Sequence, residues 1–422
     1  MSDNPGGSLV VVNARLDGKA VGMRCHDGTI AEIGPDVSAS AGEEELDAVG
    51  AMLVPALVNG HTHAAMTLFR GSGGNLPLMP WLQERVWPVE ARLEPEDVYW
   101  GARLACAEMI HSGTGHFWDM YWHPEATAQA VIDAGMRATI GAPLFDVDGD
   151  TNRLRESALR SVEELSGRHP LVELALAPHS IYTVSEDSLR WIAELASERG
   201  LPVHIHLAET EQEVSDCVEA HGVRTAAYLD SVGMLSERAL LAHCVWLDEA
   251  EVKLLAERGA TAVASPVSNM KLAVGGVLPY RPMREAGVRI GLGTDGAGSN
   301  DSLDLFAELK AFALLQRHEA GDATVIDAGD AWAIATGARS PLLFDGEPLA
   351  VGAPADFLLL RRDAPELAFG EPADSLVYAA SGSVVDTTVV AGRILMRDGD
   401  IPGVEEVVAH AVERSRRRGI TS

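Results

Sequence analysis

The sequence predicts an α/β protein: a (β/α)8 TIM barrel with a small β-sandwich domain formed by both chain termini. Apolar, β-branched runs recur through the middle of the chain, and stretches with helical periodicity separate most of them. Both ends of the chain instead carry short strand-like runs between Gly and Asp turns. The 422-residue length suits a barrel with one accessory domain.

The N-terminal residues 1–56 are predicted to form one half of the β-sandwich. Their stretch SLVVVNARLDGKAVGMRCHDGTIAEIG alternates short apolar runs with turns, which is typical of a β-meander. Residues 346–422 repeat this pattern in ADFLLLRRD and SLVYAASGSVVDTTVVAGRILMRDG, and are predicted to form the other half. They end in VEEVVAHAVERSRRRG, whose spacing is helical and whose basic end suits a helix C-terminus. Pro55 and the segment 346–356 mark the predicted borders.

Residues 57–345 are predicted to carry the barrel. Helical stretches such as EDVYWGARLACAEMIHSG and SEDSLRWIAELASERG lie between the strand candidates. The candidates are residues 53–58, 114–120, 137–145, 172–177, 202–207, 239–243, 261–265 and 288–294. Because active sites of such barrels lie at the C-terminal ends of the strands, polar residues at those ends are the functional candidates.

Four residues at these strand ends predict a metal site: His61, His63, His206 and Asp295. The two histidines of NGHTH are two positions apart, so both side chains face the barrel interior. His206 lies in the fifth run and Asp295 follows the eighth. Imidazoles and a carboxylate are ligands that Zn²⁺ uses, and a catalytic site keeps room for water. The fourth run, VELALAPHS, has no lysine that would bridge a second metal, so we expect one Zn²⁺ per subunit.

Two more strand-end residues are predicted to act on the reaction. Glu209 follows His206 by three positions, where a carboxylate can take a proton from water and pass it to the substrate. His243 ends the sixth run, facing inward, and is predicted to orient the attacking water and stabilise the developing oxyanion. Asp295 is predicted to collect the second proton of that water as well as to bind the metal.

The charge of the chain excludes several classes of partner. Acidic residues number 62 against 33 basic ones, a formal charge of −29, and that field repels nucleic acid and anionic membranes. Since only four of the basic residues are lysines, the composition predicts adaptation to a salt-rich, halophilic cytoplasm. No apolar run approaches the roughly 20 residues of a membrane helix. The first residues lack the pattern of a secretory signal, so we expect a cytoplasmic location.

The motifs GHTHAAMTLFRG, PVEARL, APHSIY, HIHLAET, LAHCV, SPVSNMKL and GLGTDGAGSNDSLDLF together resemble the metal-dependent deaminases of the amidohydrolase superfamily. The resemblance is strongest to the S-adenosylhomocysteine/5'-methylthioadenosine deaminase branch, which includes archaeal 5'-deoxyadenosine deaminases. It spans roughly residues 8 to 400 and implies a hydrolase that acts on C–N bonds in cyclic amidines.

The resemblance also implies roles for individual residues. Glu90 in PVEARL matches a glutamate that binds the ribose hydroxyls, and His179 in APHSIY matches a histidine that contacts the purine. Arg153 matches an arginine that reaches a homocysteine carboxylate, and Arg137 one that does so across a subunit interface, which implies a homo-oligomer, a dimer or tetramer. Trp81 is expected to line the side of the site that receives the thioether group of the substrate. A role in packing is an equal alternative.

We therefore expect zinc-dependent hydrolytic deamination of an adenosine-type nucleoside to the inosine analogue and ammonia. Candidate substrates are S-adenosylhomocysteine, 5'-methylthioadenosine, 5'-deoxyadenosine and adenosine. The alternatives are an amidohydrolase of another specificity, namely a triazine-type chlorohydrolase or a guanine or cytosine deaminase, and a relative that only binds or assembles. The intact ligand set argues against the last.

Overall fold

The structure is a computed structural model that describes residues 8–72, 76–146 and 150–420. The strands are β1 Leu9–Leu16, β2 Lys19–His26, β3 Thr29–Gly34, β4 Glu44–Asp47, β5 Met52–Pro55, β6 Leu57–Thr62, β7 Thr114–Met120, β8 Arg137–Leu144, β9 Val172–Pro178, β10 Val203–Leu207, β11 Ala239–His243, β12 Thr261–Ala264, β13 Arg289–Leu292, β14 Phe357–Leu360, β15 Val385–Val390 and β16 Arg393–Met396. The helices are α1 Leu78–Trp81, α2 Trp87–Glu90, α3 Pro95–His111, α4 Pro124–Ala134, α5 Thr151–Leu165, α6 Glu186–Arg199, α7 Glu211–His221, α8 Thr225–Ser231, α9 Glu249–Arg258, α10 Pro266–Lys271, α11 Tyr280–Ala286, α12 Leu305–Ala320, α13 Ala328–Ala335, α14 Pro372–Asp374 and α15 Val404–Arg418. Among these helices none combines the length and the apolar character needed to span a membrane.

The central sheet is a parallel barrel. Its strands pair in chain order from β6 to β13, and a backbone hydrogen bond of 3.0 Å from Asp295 N to His61 O joins the two ends of the sheet. Every residue of β6, β7 and β10 is buried, as expected for strands covered on both faces. Each predicted strand run contains or overlaps one of these strands, and the TIM barrel is confirmed.

The strands of the two chain ends form a second sheet, called the end sheet below. Its strand order is β16-β15-β14-β5-β1-β2-β3, with β4 paired to β1. The sheet is mixed, since β14 pairs antiparallel with β5 whereas β4 runs parallel to β1. Its buried side chains, such as Val11, Met23 and Phe357, come from both ends of the sequence. The predicted small β domain built from both termini is thereby confirmed.

The chain passes from this end sheet into the barrel within one predicted strand run, 53–58. Its first part belongs to β5, and its last part begins β6. Between them, Ala56 N donates to Asp356 O over 3.2 Å. At the other end of the barrel, Leu343 packs inside it, whereas Leu349 packs in the core of the end sheet. The domain limits near residues 56 and 345 stay predictions.

The C-terminal helix α15 packs against α3 beside the barrel mouth. Asp97, at the start of α3, is fully buried, 2.6 Å from Arg418 and 3.7 Å from Arg414. Ala411 of the same helix packs in an apolar cluster with Met66 and Trp81. Since both of these residues also line the cleft described below, α15 supports one wall of that cleft.

Candidate metal centre and active site

The barrel brings His61, His63, His206 and Asp295 together at the C-terminal ends of its strands. One ligand atom from each residue lies within 4.8 Å of the others. Three of the four side chains are almost fully buried and His63 is half-buried. A Cβ atom on Gly293, just after β13, would lie 2.8 Å from the backbone nitrogen of His61, so glycine is needed for the last strand to approach the first.

The outer hydrogen bonds of two histidines leave their Nε2 atoms as acceptors. Nδ1 of His63 donates to the carbonyl of Met120, and Nδ1 of His206 to the carbonyl of His179, both over 2.6 Å. The two Nε2 atoms then face each other at 3.3 Å. Two such lone pairs repel unless a proton or a metal cation lies between them. Outer partners of this kind are usual for metal-binding histidines.

His61 completes the histidine set from inside the barrel. Its Nε2 is buried and has no hydrogen-bond partner in the described residues, while its Nδ1 lies 2.9 Å from His204 Nε2. With the proton on Nδ1, the Nε2 lone pair of His61 points at the centre. His204, a fully buried residue of β10, is placed to accept that proton and so to hold His61 in this tautomer.

Asp295 supplies the negative charge of the centre. Its Oδ1 lies 3.2 Å from His63 Nε2 and 3.4 Å from His61 Nε2, and its Oδ2 accepts hydrogen bonds from Ser268 (2.6 Å) and Ser299 (2.7 Å). Burial alone would raise the pKa of Asp295, but the adjacent imidazoles of His61 and His63 hold it well below its usual range.

The centre as a whole favours a positive charge. Burial alone would lower the pKa of His63, yet the hydrogen bond and the charge of Asp295 raise it to about 9. Three imidazole nitrogens and one carboxylate oxygen are a donor set that zinc binds. The orphaned Nε2 of His61 and the facing Nε2 atoms of His63 and His206 are the observations that fit a metal ion.

Glu209 and His243 face each other next to this centre. His243 Nε2 lies 4.0 Å from Glu209 Oε2, and His243 Nδ1 is bonded to Asn269 Oδ1 over 2.9 Å. Both side chains are buried. Burial raises the pKa of Glu209, opposed by His243 and reinforced by Asp295. A carboxylate with a raised pKa is suited to accept a proton and deliver it again.

A cleft of about 760 Å³ opens above these groups. Glu90, at the end of α2, lies in its wall and is half-buried. Burial raises the pKa of Glu90, while the neighbouring Tyr121, Trp122 and His63 act in the opposite direction. The other lining residues include Met66, Leu78, Trp81, Leu82, Val86, Trp87, Leu144, Phe145, His179 and Tyr182.

His179 lies in the same cleft as a neutral ring. Its Nδ1 is 2.9 Å from Thr183 Oγ1, and its ring centroid is 4.9 Å from that of Phe145. Burial, followed by the charges of neighbouring histidines, lowers the pKa of His179 to about 3. Its Nε2 therefore remains for a polar atom of a substrate.

The two arginines of the sequence prediction lie elsewhere. Arg137 is the first residue of β8, at the opposite end of the barrel, where its guanidinium binds Asp356 at 2.8 and 3.3 Å. Arg153 lies exposed in the first turn of α5. Neither belongs to the cleft wall that the structure describes. The roles that the resemblance implied for them stay predictions.

Sequence reasoning did not assign the residues that hold the site in place, such as Asn269, Ser268 and Ser299. The first two lie in SPVSNMKL, a motif that carried the resemblance without a role for its members. Their contacts join α10 to β11 and to the segment after β13, so only the assembled barrel shows them.

A model of the amidohydrolase family matches residues 52–395, which is most of the chain. The chain belongs to the amidohydrolase family. It is 46% identical over 400 residues to the 5'-deoxyadenosine deaminase of Methanoregula boonei, with 92% of this chain and 90% of the relative covered. It is 39% identical over 420 residues to 5-methylthioadenosine/S-adenosylhomocysteine deaminase 1 of Archaeoglobus fulgidus, with 97% and 96% covered.

Among solved amidohydrolase-like structures, an adenosine deaminase from Xanthomonas campestris with bound zinc has the same fold. The TM-score is 0.90 at 32% sequence identity, and 99% of each chain is covered. The family and branch that the motifs indicated are confirmed.

Proposed function

We propose that this amidohydrolase deaminates an adenosine-type nucleoside to the inosine analogue and ammonia. The observation that carries the proposal is one cleft that holds the His61, His63, His206 and Asp295 cluster, the buried Glu209 and, in its wall, Glu90. Relatives named as deaminases of 5'-deoxyadenosine and of 5-methylthioadenosine/S-adenosylhomocysteine, which match over nine tenths of the chain, support it.

The site residues have distinct parts in this reaction. A zinc ion bound by the four-residue cluster would lower the pKa of water there toward neutrality. Glu209 takes one proton from the attacking water and delivers it to purine N1, which makes C6 electrophilic. His243, whose Nδ1 is engaged by Asn269, turns Nε2 toward the same space and orients the water. Asp295 holds the second proton, which leaves with the exocyclic amine as ammonia.

Two cleft residues are proposed to read the nucleoside. The Glu90 carboxylate can accept hydrogen bonds from both ribose hydroxyls, which is a strong, charge-assisted contact. His179 offers Nε2 to the purine, because Thr183 occupies its Nδ1. The deaminase proposal is tested by ammonia release from adenosine, 5'-deoxyadenosine, guanine and cytosine, and by chloride release from a chlorotriazine. Turnover of any of the last three above that of the adenosine nucleosides would favour the rival specificities.

The first prediction concerns the metal. Dialysed protein should retain about one zinc ion per chain, and His206→Ala should remove most of it because one of the buried nitrogen ligands is lost. Elemental analysis measures this, with His318→Ala as a control, since His318 is an exposed histidine on α12. Two ions per chain, or full metal content in the His206 variant, would contradict the single-metal site.

The second prediction concerns the ribose. Glu90→Ala should lower kcat/KM for adenosine by about a hundredfold and that for 2'-deoxyadenosine much less, because only adenosine offers both hydroxyls. Glu84→Ala is the matched control, since Glu84 is exposed in the same helical segment. An equal loss on both substrates would remove Glu90 from ribose recognition.

Oligomeric state, the absence of nucleic-acid or membrane binding and the cytoplasmic location stay predictions. Light scattering of the purified chain tests the first of them.

A further inference from the structure

Among the described residues, the cleft contains carboxylates and histidines but neither lysine nor arginine. Its ionisable carboxylates are Glu90, Glu209 and Asp295, and no Lys or Arg belongs to its wall in the described part of the chain. The segments outside that part, 1–7, 73–75, 147–149 and 421–422, contain neither residue type in the sequence. Every Lys and Arg side chain is therefore accounted for outside the cleft.

Nearby arginines are engaged away from the cleft. Arg137 is bound to Asp356 at the opposite end of the barrel, and both side chains are largely buried. Arg155 donates to the carbonyl of Asp187 and lies over the ring of Trp191, and Arg92 donates to a carbonyl of its own turn. Neither these arginines nor Arg153, which is exposed on α5, belongs to the cleft wall that the structure describes.

The cleft wall is instead aromatic. Phe145 lies at its centre, with ring centroids 6.5 Å from Trp87, 5.7 Å from Trp122 and 4.9 Å from His179. Tyr182 continues the series, 6.0 Å from His179, and is partly exposed at the rim. Such a surface gains free energy by covering apolar groups and, over its described residues, presents no Lys or Arg side chain to a carboxylate.

We infer that this enzyme prefers adenosine nucleosides with an uncharged 5' group, 5'-deoxy or 5'-alkylthio, over those with an amino-acid tail. The inference rests on the proposed function, because the reaction fixes the base at Glu209 and the ribose at Glu90. With both fixed, the 5' group has only the aromatic wall and the mouth of the cleft to contact. A tail carboxylate there meets aromatic rings and no Lys or Arg side chain of the described wall, in a cleft whose other charged groups include three carboxylates, which disfavours it.

A matched set of substrates tests the inference: 5'-deoxyadenosine, 5'-methylthioadenosine, a neutral 5'-butylthioadenosine and S-adenosylhomocysteine. The butyl compound matches the length of the homocysteine tail without its charges. We expect similar kcat/KM for the three neutral compounds and at least about a tenfold lower value for S-adenosylhomocysteine, which corresponds to ~1.4 kcal/mol.

The outcomes are distinct. S-adenosylhomocysteine within threefold of the methylthio compound would overturn the inference and leave the deaminase proposal standing. A butylthio compound as poor as S-adenosylhomocysteine would also overturn it, since size rather than charge would then decide. No ammonia from any of the four would instead refute the proposed function.

A separate observation concerns Glu213, in the first turn of α7. Its buried carboxylate accepts two backbone hydrogen bonds, from Ala208 N at 2.9 Å and from Glu209 N at 2.8 Å. The sequence pattern Thr210-x-x-Glu213 predicts an ordinary capping box, in which the glutamate returns to the N–H of the capping residue. Here the Glu213 carboxylate instead accepts from the N–H groups of Ala208 and Glu209, the two residues before the capping residue Thr210.

Helix α9 shows the ordinary arrangement in the same protein. There Glu251 accepts from the backbone nitrogen of the capping residue, Asp248, over 3.1 Å. Glu213 has different hydrogen-bond partners because Ala208 adopts a left-handed φ of 50°. This conformation turns the N–H groups of Ala208 and Glu209 toward the helix. The two hydrogen bonds hold this turn, from which Glu209 projects.

The geometry points to Glu213 as a positioning residue for Glu209. Glu213→Gln replaces one acceptor oxygen with an NH₂ group that would face a backbone N–H. A small displacement of Glu209 should then lower kcat by about tenfold to a hundredfold. KM and bound metal should stay unchanged, because neither depends on the protons that Glu209 moves. Glu211→Gln is the control, with the same charge change in the same turn but on an exposed residue.

A double-mutant cycle separates positioning from general stability. In a Glu209→Gln background, Glu213→Gln should cost no further activity, because the residue it positions no longer acts as a base. An additive loss, or an unchanged kcat in a folded Glu213→Gln or Glu213→Asp enzyme, would overturn the role. The shorter aspartate variant keeps the test valid if the glutamine variant fails to fold.

Discussion

Glu209→Gln will lower kcat by about three orders of magnitude while the enzyme keeps its metal and its fold. The substitution preserves the size of the side chain and removes its ability to accept a proton. Both steps assigned to Glu209, the removal of a proton from water and its delivery to purine N1, are lost together. We expect no second carboxylate to replace it, because Asp295 is already assigned the second proton of the water and Glu90 is assigned to the ribose.

Three measurements make the Glu209 prediction decisive: kcat, bound zinc by elemental analysis, and melting temperature. The metal should remain because Glu209 is not one of the four clustered ligands. The buried site should tolerate the change, since burial raises the pKa of Glu209 and so already disfavours its charged form. A variant that kept a tenth or more of the wild-type turnover would show that the proton is carried by another group.

The fold and the metal centre were predictable because they depend on periodicity. Strand runs alternate with helical stretches, and in a barrel the polar residue at the end of each run must reach the same rim. That rule placed His61, His206 and Asp295, residues far apart in the sequence, in one centre before any distance was known. The metal centre could be predicted because its ligands lie at strand ends, and strand ends can be located from the sequence.

For Arg137, the rule that active sites lie at the C-terminal ends of barrel strands and the resemblance lead to different expectations. Arg137 begins the run 137–145, and a residue at the start of a strand lies at the face opposite the active site. The structure accordingly pairs it with Asp356 of the end sheet. The position of a residue within its strand decides which end of the barrel of its own subunit it reaches, and the role of Arg137 across a subunit interface stays a prediction.

Contacts that orient the catalytic groups were not predictable, for physical reasons. Asn269 bonds His243 across two neighbouring barrel loops, and no spacing within one segment encodes that contact. Glu213 is the opposite case, because its pattern is recognisable but has two solutions. Which one forms depends on the backbone conformation at Ala208, which the sequence does not state.

The largest expected effect on stability comes from salt. The formal charge of −29 means that acidic side chains repel one another across the whole surface. This repulsion acts over about 10 Å at 0.1 M salt and about 3 Å at 1 M. Surface ion pairs such as Arg190–Glu186 weaken with added salt, but each contributes little to stability. The buried pairing of Asp97 with Arg418, which holds α15 in place, is screened less.

Raising KCl from 0.1 to 3 M should therefore raise the melting temperature by roughly 5 °C, since the unfolding entropy of a 422-residue chain is about 0.9 kcal/mol/K and we expect relief of about 4 kcal/mol. Thermal melts with activity assayed in parallel measure it. Sucrose is the control, because it strengthens apolar burial without screening charge. An equal rise in sucrose would assign the effect to burial rather than to charge. A flat melting temperature in KCl would mean that the acidic surface does not limit stability, and the prediction of a halophilic protein would fail with it.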